Sequence, residues 1–91
     1  MKHITLHLYT DPGHGWLKVP MRHPVFQSIK EKVSHYSYVR GEYAYLEHDC
    51  DASLFILALN EHGYSYRIRI HGTDRRSKIR SYDNYYYISE R

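Results

Sequence analysis

The chain has 91 residues and a formal charge of +3, with 42% hydrophobic and 25% charged residues. That composition argues against a disordered chain, and no apolar run approaches the roughly 20 residues that a membrane-spanning helix needs. A single small domain over 1–91 is expected, burying only about 60–65% of the surface its unfolded chain exposes.

The opening MKHITLHLYT lacks the apolar region of a signal peptide, and HITLHLY alternates cleanly. Ile4, Leu6 and Leu8 share one face and His3, Thr5, His7 and Tyr9 the other, which predicts a half-buried strand. DPGHG is turn chemistry: Pro12 presets one dihedral, and Gly13 and Gly15 are free to take positive φ. WLKV reads as the return strand of a hairpin with a five-residue loop, stopped by Pro20. Trp16 would anchor that hairpin to the core, leaving His14 solvated at the tip.

HPVFQSIKEKVSHY predicts a first helix, with Pro24 in its first turn and Val25, Phe26, Ile29 and Val33 on one stripe. YSYVRGEYAYLE predicts a second hairpin turning at Arg40-Gly41-Glu42, with Tyr36 and Tyr38 on one face of the first strand and Tyr43 and Tyr45 on one face of the second. DCDASLFILALNEHG predicts the second helix. Asp49 or Asp51 would cap its start, Gly63 would end it, and its apolar residues run almost all round, as in a deeply buried element. YSYRIRIHG then predicts a strand with Tyr64, Tyr66, Ile68 and Ile70 on one face and Ser65, Arg67, Arg69 and His71 on the other. TDRRS is a loop, and residues 81–91 are read as an edge strand or an ordered tail. The resulting class is α+β: a small antiparallel sheet with two helices packed on one face, in the order ββα-ββα-β.

Chemistry is weakly signalled. Cys50, the single cysteine, excludes an internal disulfide and fits a reducing, cytoplasmic setting. Asp11 beside His14 could form a base with its orienting carboxylate, and EHDCD gathers potential ligands at Glu47, His48, Asp49, Cys50 and Asp51. A small metal-dependent hydrolase centred on Asp11, His14, His48 and Asp49 is therefore one alternative. Helix capping by the acids, with Cys50 as a small packed side chain, is the simpler account. No catalytic residue is nominated, and neither a metal nor a cofactor is expected.

Charge is the stronger signal. Residues 1–63 carry six lysines and arginines against seven acids, whereas residues 64–91 carry seven against three. Arg67, Arg69, Arg75, Arg76, Lys78 and Arg80 fall close together, with Tyr64, Tyr66, Tyr82, Tyr85, Tyr86 and Tyr87 around them. Arginine beside tyrosine suits protein hot spots and also phosphates and bases, so the cluster is expected to be a partner surface, for a protein or nucleoprotein complex, with direct RNA or DNA binding as the alternative.

The phrases DPGHGWLKV, YSYVRGEYAYLEHDCDAS and RRSKIRSYDNYY together resemble a group of short uncharacterised proteins carried by phages, prophages and plasmids. In that group a DPGHGWL turn, a YSY-x-RG…YLE-x-DCD block and an R-S-x-IR-x-Y block follow at similar spacing. This sequence departs at His48, where the group's pattern has an acid. The resemblance implies a mobile-element protein acting in the host cytoplasm, of the kind that binds and blocks a CRISPR effector or restriction system. It carries over no catalytic residues.

Overall fold

The β-alternation of the first strand organises everything around it. The computed structural model describes residues 2–86, in which β1 (Lys2–Thr10), β2 (Gly15–Pro20), β3 (Tyr38–Arg40), β4 (Tyr43–Glu47), β5 (Tyr64–Gly72) and β6 (Asp83–Asn84) form one sheet in the order β5-β1-β2-β4-β3-β6. Helices α1 (Pro24–Ile29) and α2 (Asp51–Glu61) cover one face, so the α+β architecture with two helices on one side is present. Leu6, Leu17, Val19, Ala44 and Leu46 meet Val25, Phe26, Ile29, Phe55, Ala58 and Leu59 in the main core. Phe55, Leu59, Val19 and Leu46 are wholly buried there.

The sheet is mixed rather than antiparallel throughout. β1 pairs antiparallel with β2 but parallel with β5, in register from Lys2↔Tyr64 to Thr10↔Gly72. The reason is topological: α2 carries the chain back along the sheet, so β5 runs in the direction of β4 and β1.

Three further expectations need correction. α1 stops at Ile29, well short of the predicted segment, because a tight turn brings the Lys32 amide to the Ile29 carbonyl and the Ser34 amide is taken by Asp51 Oδ2 at 3.0 Å. Neither acid caps α2. The Asp51 carboxylate instead accepts from Ser34 Oγ and Ser37 Oγ at 2.7 and 2.6 Å, tying the segment after α1 to the start of α2. α2 is not buried all round either: Leu57 is 62% exposed. Its end is as expected, with Gly63 at φ 78°.

The C-terminal segment supplies an unexpected second layer. From β5 it crosses the helix-free face as a strap, through a 3-10 turn at Lys78–Ser81, and ends as β6 on the β3 edge. Ile79 of the strap lies buried against Trp16 and Tyr45, with Tyr9, Tyr38 and Tyr82 around them. Trp16 therefore anchors this second cluster rather than the main core. The part of the expected tail beyond residue 86, including Tyr87, lies outside the described residues.

Candidate interaction surface

The hairpin turn is the anchor for the strap. Asp11 is buried, and its carboxylate accepts from the amides of Gly13, His14 and Ser77 at 3.0 Å each. Arg80 donates to both oxygens of the same carboxylate, Nε to Oδ2 at 2.6 Å and Nη2 to Oδ1 at 2.8 Å. Foremost the Arg80 side chain, then the Ser77 amide, holds the Asp11 carboxyl well below the usual carboxylate range. Gly13 and Gly15 take no positive φ. At Gly13 the need is room, since a Cβ would sit 2.9 Å from Arg80 Nη2. His14 is exposed, as expected, but is not free: it lies 3.1 Å from Arg80 Nη2 and stacks with Trp16.

Arg80 is thus neutralised and built into the fold, whereas the other described basic residues of the C-terminal third are exposed. Among the described residues, the side chains of Arg67, Arg69, Arg75, Arg76 and Lys78 make no ion pair, and all five are exposed. Arg67 and Arg69 lie on the helix-free face of β5, opposite Thr5 and His7 of β1. Beside them His7 Nδ1 and His71 Nε2 share a hydrogen bond of 2.8 Å, Tyr9 stacks on His71, and His3 bonds Ser65 Oγ. Arg75, Arg76 and Lys78 sit on the strap and its approach.

Of the tyrosines expected to share that surface, Tyr82 lies on the helix-free face but is packed down, while Tyr64, Tyr66 and Tyr85 turn to the helix side. Tyr64 and Tyr66 point to the helix side of β5, away from the arginines, and Tyr64 packs on His23. Tyr82 packs edge-on against Tyr45 beneath Arg40. Tyr85 is 6% exposed, packs on Phe26, and donates its hydroxyl to the Lys30 carbonyl at 2.7 Å. Within β5 the alternation that the sequence itself shows sends Tyr64 and Tyr66 to the face opposite Arg67 and Arg69. What remains beside Tyr66 on the helix side is largely apolar: Ile68 and Ile70 are exposed, and a groove of about 330 Å³ runs between β5 and α2, lined by Leu8, Leu17, Ala52, Ile56, Leu57 and Ile68 with His48 and Ser53 as its polar members. That exposure was not foreseen, because nothing in the local pattern of β5 says that it ends the sheet.

On the opposite, helix-free face a second hollow of about 350 Å³ is lined by His14, Trp16, Tyr36, Tyr38, Glu47, Cys50 and Arg80. Its polar groups are largely engaged: His14 with Arg80, and Glu47 Oε1 with the Asp49 amide at 3.2 Å. Cys50 is exposed rather than packed, and the neighbouring Asp51 carboxylate, then burial and Glu47, push its thiol up. Among the described residues His48 pairs with its neighbour Asp49, while Asp11 and His14 engage Arg80, so the four residues of the hydrolase alternative sit as two separate pairs. Among the described residues no group of three or more histidine, cysteine or acidic side chains is arranged to hold a metal ion, and no helix is long and apolar enough to cross a membrane.

No family model matches the chain, and no curated protein or solved structure matches it either.

Proposed function

We propose that the protein acts by stoichiometric binding, modulating or inhibiting a host nucleic-acid-handling or defence complex in the anti-CRISPR-like or anti-restriction-like manner that its resemblance to mobile-element proteins implies. The observation that carries this reading is the set of five exposed cations, Arg67, Arg69, Arg75, Arg76 and Lys78, without an acidic partner among the described residues. Unpaired cations of this density steer an anionic partner and reward contact with it. Arg80 belongs to the scaffold that holds the strap, not to the contact.

A protein or nucleoprotein surface suits this patch better than a bare single strand. Stacking platforms for bases need free rings close to the cations; beside Arg67 and Arg69 the rings of His7, Tyr9 and His71 are stacked on one another, and the exposed Tyr43 lies across the sheet on β4 beneath Lys18. The test is affinity capture from host lysate, with and without nuclease, using the parent protein and an Arg67→Glu/Arg69→Glu/Arg75→Glu variant. A protein partner retained after nuclease and lost with the variant supports the proposal. Equal capture by both proteins refutes it, and loss on nuclease treatment alone assigns the patch to nucleic acid.

A further inference from the structure

Resting on the reading of this region as a partner surface, the geometry points to strand addition: β5 accepts, as a new edge strand, an extended partner segment in which acidic and apolar side chains alternate. β5 is nine residues long and, among the described residues, pairs with β1 alone and leaves its other edge open. Such an edge offers a row of main-chain donors and acceptors to any chain that lies along it.

The two faces of β5 specify the occupant. On the helix-free side Arg67 and Arg69 stand two positions apart without ion-pair partners among the described residues. On the other side Ile68 and Ile70 are exposed, Ile70 by 69%, beside the groove under Leu57. A partner resting on either face alone would reach only half of this. A paired strand reaches both, because its own side chains alternate with the same period: acidic residues beside the arginines, apolar ones over the groove.

A second copy of this chain is the wrong occupant. Two β5 strands related by a two-fold axis normal to the sheet keep like faces together. In each register that pairs most of the strand, arginine then falls opposite arginine, which repels. The arginines therefore guard the edge against self-pairing while leaving it open to an acidic complement.

The probe is a set of synthetic peptides about nine residues long, matching β5, with acidic and β-branched residues alternating in both strand directions. A same-composition scramble, a lysine-for-acid version and a short DNA duplex serve as controls. Binding is read by fluorescence and by hydrogen exchange of the β5 amides. Binding of an alternating peptide, weakened about ten-fold or more by scrambling and by Ile70→Lys, with β5 protection, is the expected result. N-methylation at alternate positions of the peptide provides a second check. One methylated set abolishes binding and the other does not, because only every second amide of an added strand faces β5.

Equal binding of both methylated sets, or of the scramble, shows attraction by charge alone and overturns strand addition while leaving the cationic-surface reading intact. Binding of none of the alternating peptides overturns it too, as does equal β5 protection by DNA. A concentration-dependent dimer abolished by Ile68→Lys would assign the edge to a second copy. Loss of lysate capture in the charge-reversed variant is scored separately, so the two proposals fail independently.

Discussion

Arg80 closes a fork on Asp11, two hydrogen bonds of 2.6 and 2.8 Å between residues 69 positions apart, and through it the last basic turn of the chain is locked to the first hairpin. The folded-state pKa of Asp11 lies below its unfolded value of about 3.9, so the unfolded chain binds the proton first on acidification. The pair's stabilisation is complete at neutral pH and is lost as pH falls below about 4 toward the folded pKa. Asp11→Asn is expected to lower the thermal midpoint by several degrees at pH 7 and to flatten the fall between about pH 4 and 2. Thermal melts by circular dichroism across that range decide it; parallel pH profiles for the two proteins would show that the fork contributes nothing.

The basic residues divide into scaffold and surface, and stability separates them. Arg67→Glu and Arg69→Glu alter exposed, unpaired side chains and should move stability by no more than about 0.5 kcal/mol each. Arg80→Glu places a carboxylate against the Asp11 carboxylate and should release the strap, lowering the midpoint far more and exposing Trp16 to quenchers. Urea titrations followed by tryptophan fluorescence check both; a destabilised Arg67→Glu would mean that β5 leans on its charge.

Much of this division was hidden from the sequence for one physical reason. Alternation in HITLHLY and YSYRIRIHG gave both strands and their faces correctly, and Gly63 marked the end of α2. Periodicity is a local property, however, and says nothing of which strands become neighbours. That β5 lies at the edge, parallel to β1, determines that Ile68 and Ile70 stay exposed and that His71 meets His7. The Asp11–Arg80 fork and the Asp51–Ser37 bond likewise join distant positions, so Asp11 looked like a turn residue and Asp51 like a cap.

Ser37 is the least conspicuous of these joints. It is wholly buried; its hydroxyl donates to Asp51 Oδ2 at 2.6 Å and accepts from the Glu47 amide at 2.9 Å, linking β4 to the start of α2. Ser37→Ala leaves both partners short of a bond in a site closed to water, a cost of about 1–3 kcal/mol. Chemical denaturation measures it, and an unchanged midpoint would mean that water replaces the hydroxyl.

His23 adds a second pH window, above that of Asp11. Its Nδ1 accepts the Val25 amide at 3.1 Å to cap α1, while its ring packs edge-on against Tyr64 and Phe55. Burial, then the nearby His62, lowers its pKa in the folded state. The cap's contribution is therefore fully present above about pH 6.5 and lost as pH falls through the folded value. His23→Asn retains a capping acceptor without a titrating ring, and should remove the loss of stability between neutral and mildly acidic pH. Melts of both proteins over that interval test it; an identical slope would place the titration on another group.

Cys50 is an exposed thiol beside a hollow whose surroundings disfavour its thiolate. Reactivity follows the thiolate, and here Asp51 foremost, with burial and Glu47 behind it, disfavours that form. Alkylation by iodoacetamide should reach half its limiting rate at a higher pH than the roughly 8.5 of a free cysteine. Glu47→Gln removes one of the opposing charges while leaving the three hydrogen bonds to Asp51 in place, and should lower that midpoint. The rate against pH, followed by intact mass, gives both numbers. A midpoint below that of free cysteine would mean that Arg80 and His14 across the hollow outweigh the carboxylates, and would return the hollow to consideration as a catalytic centre.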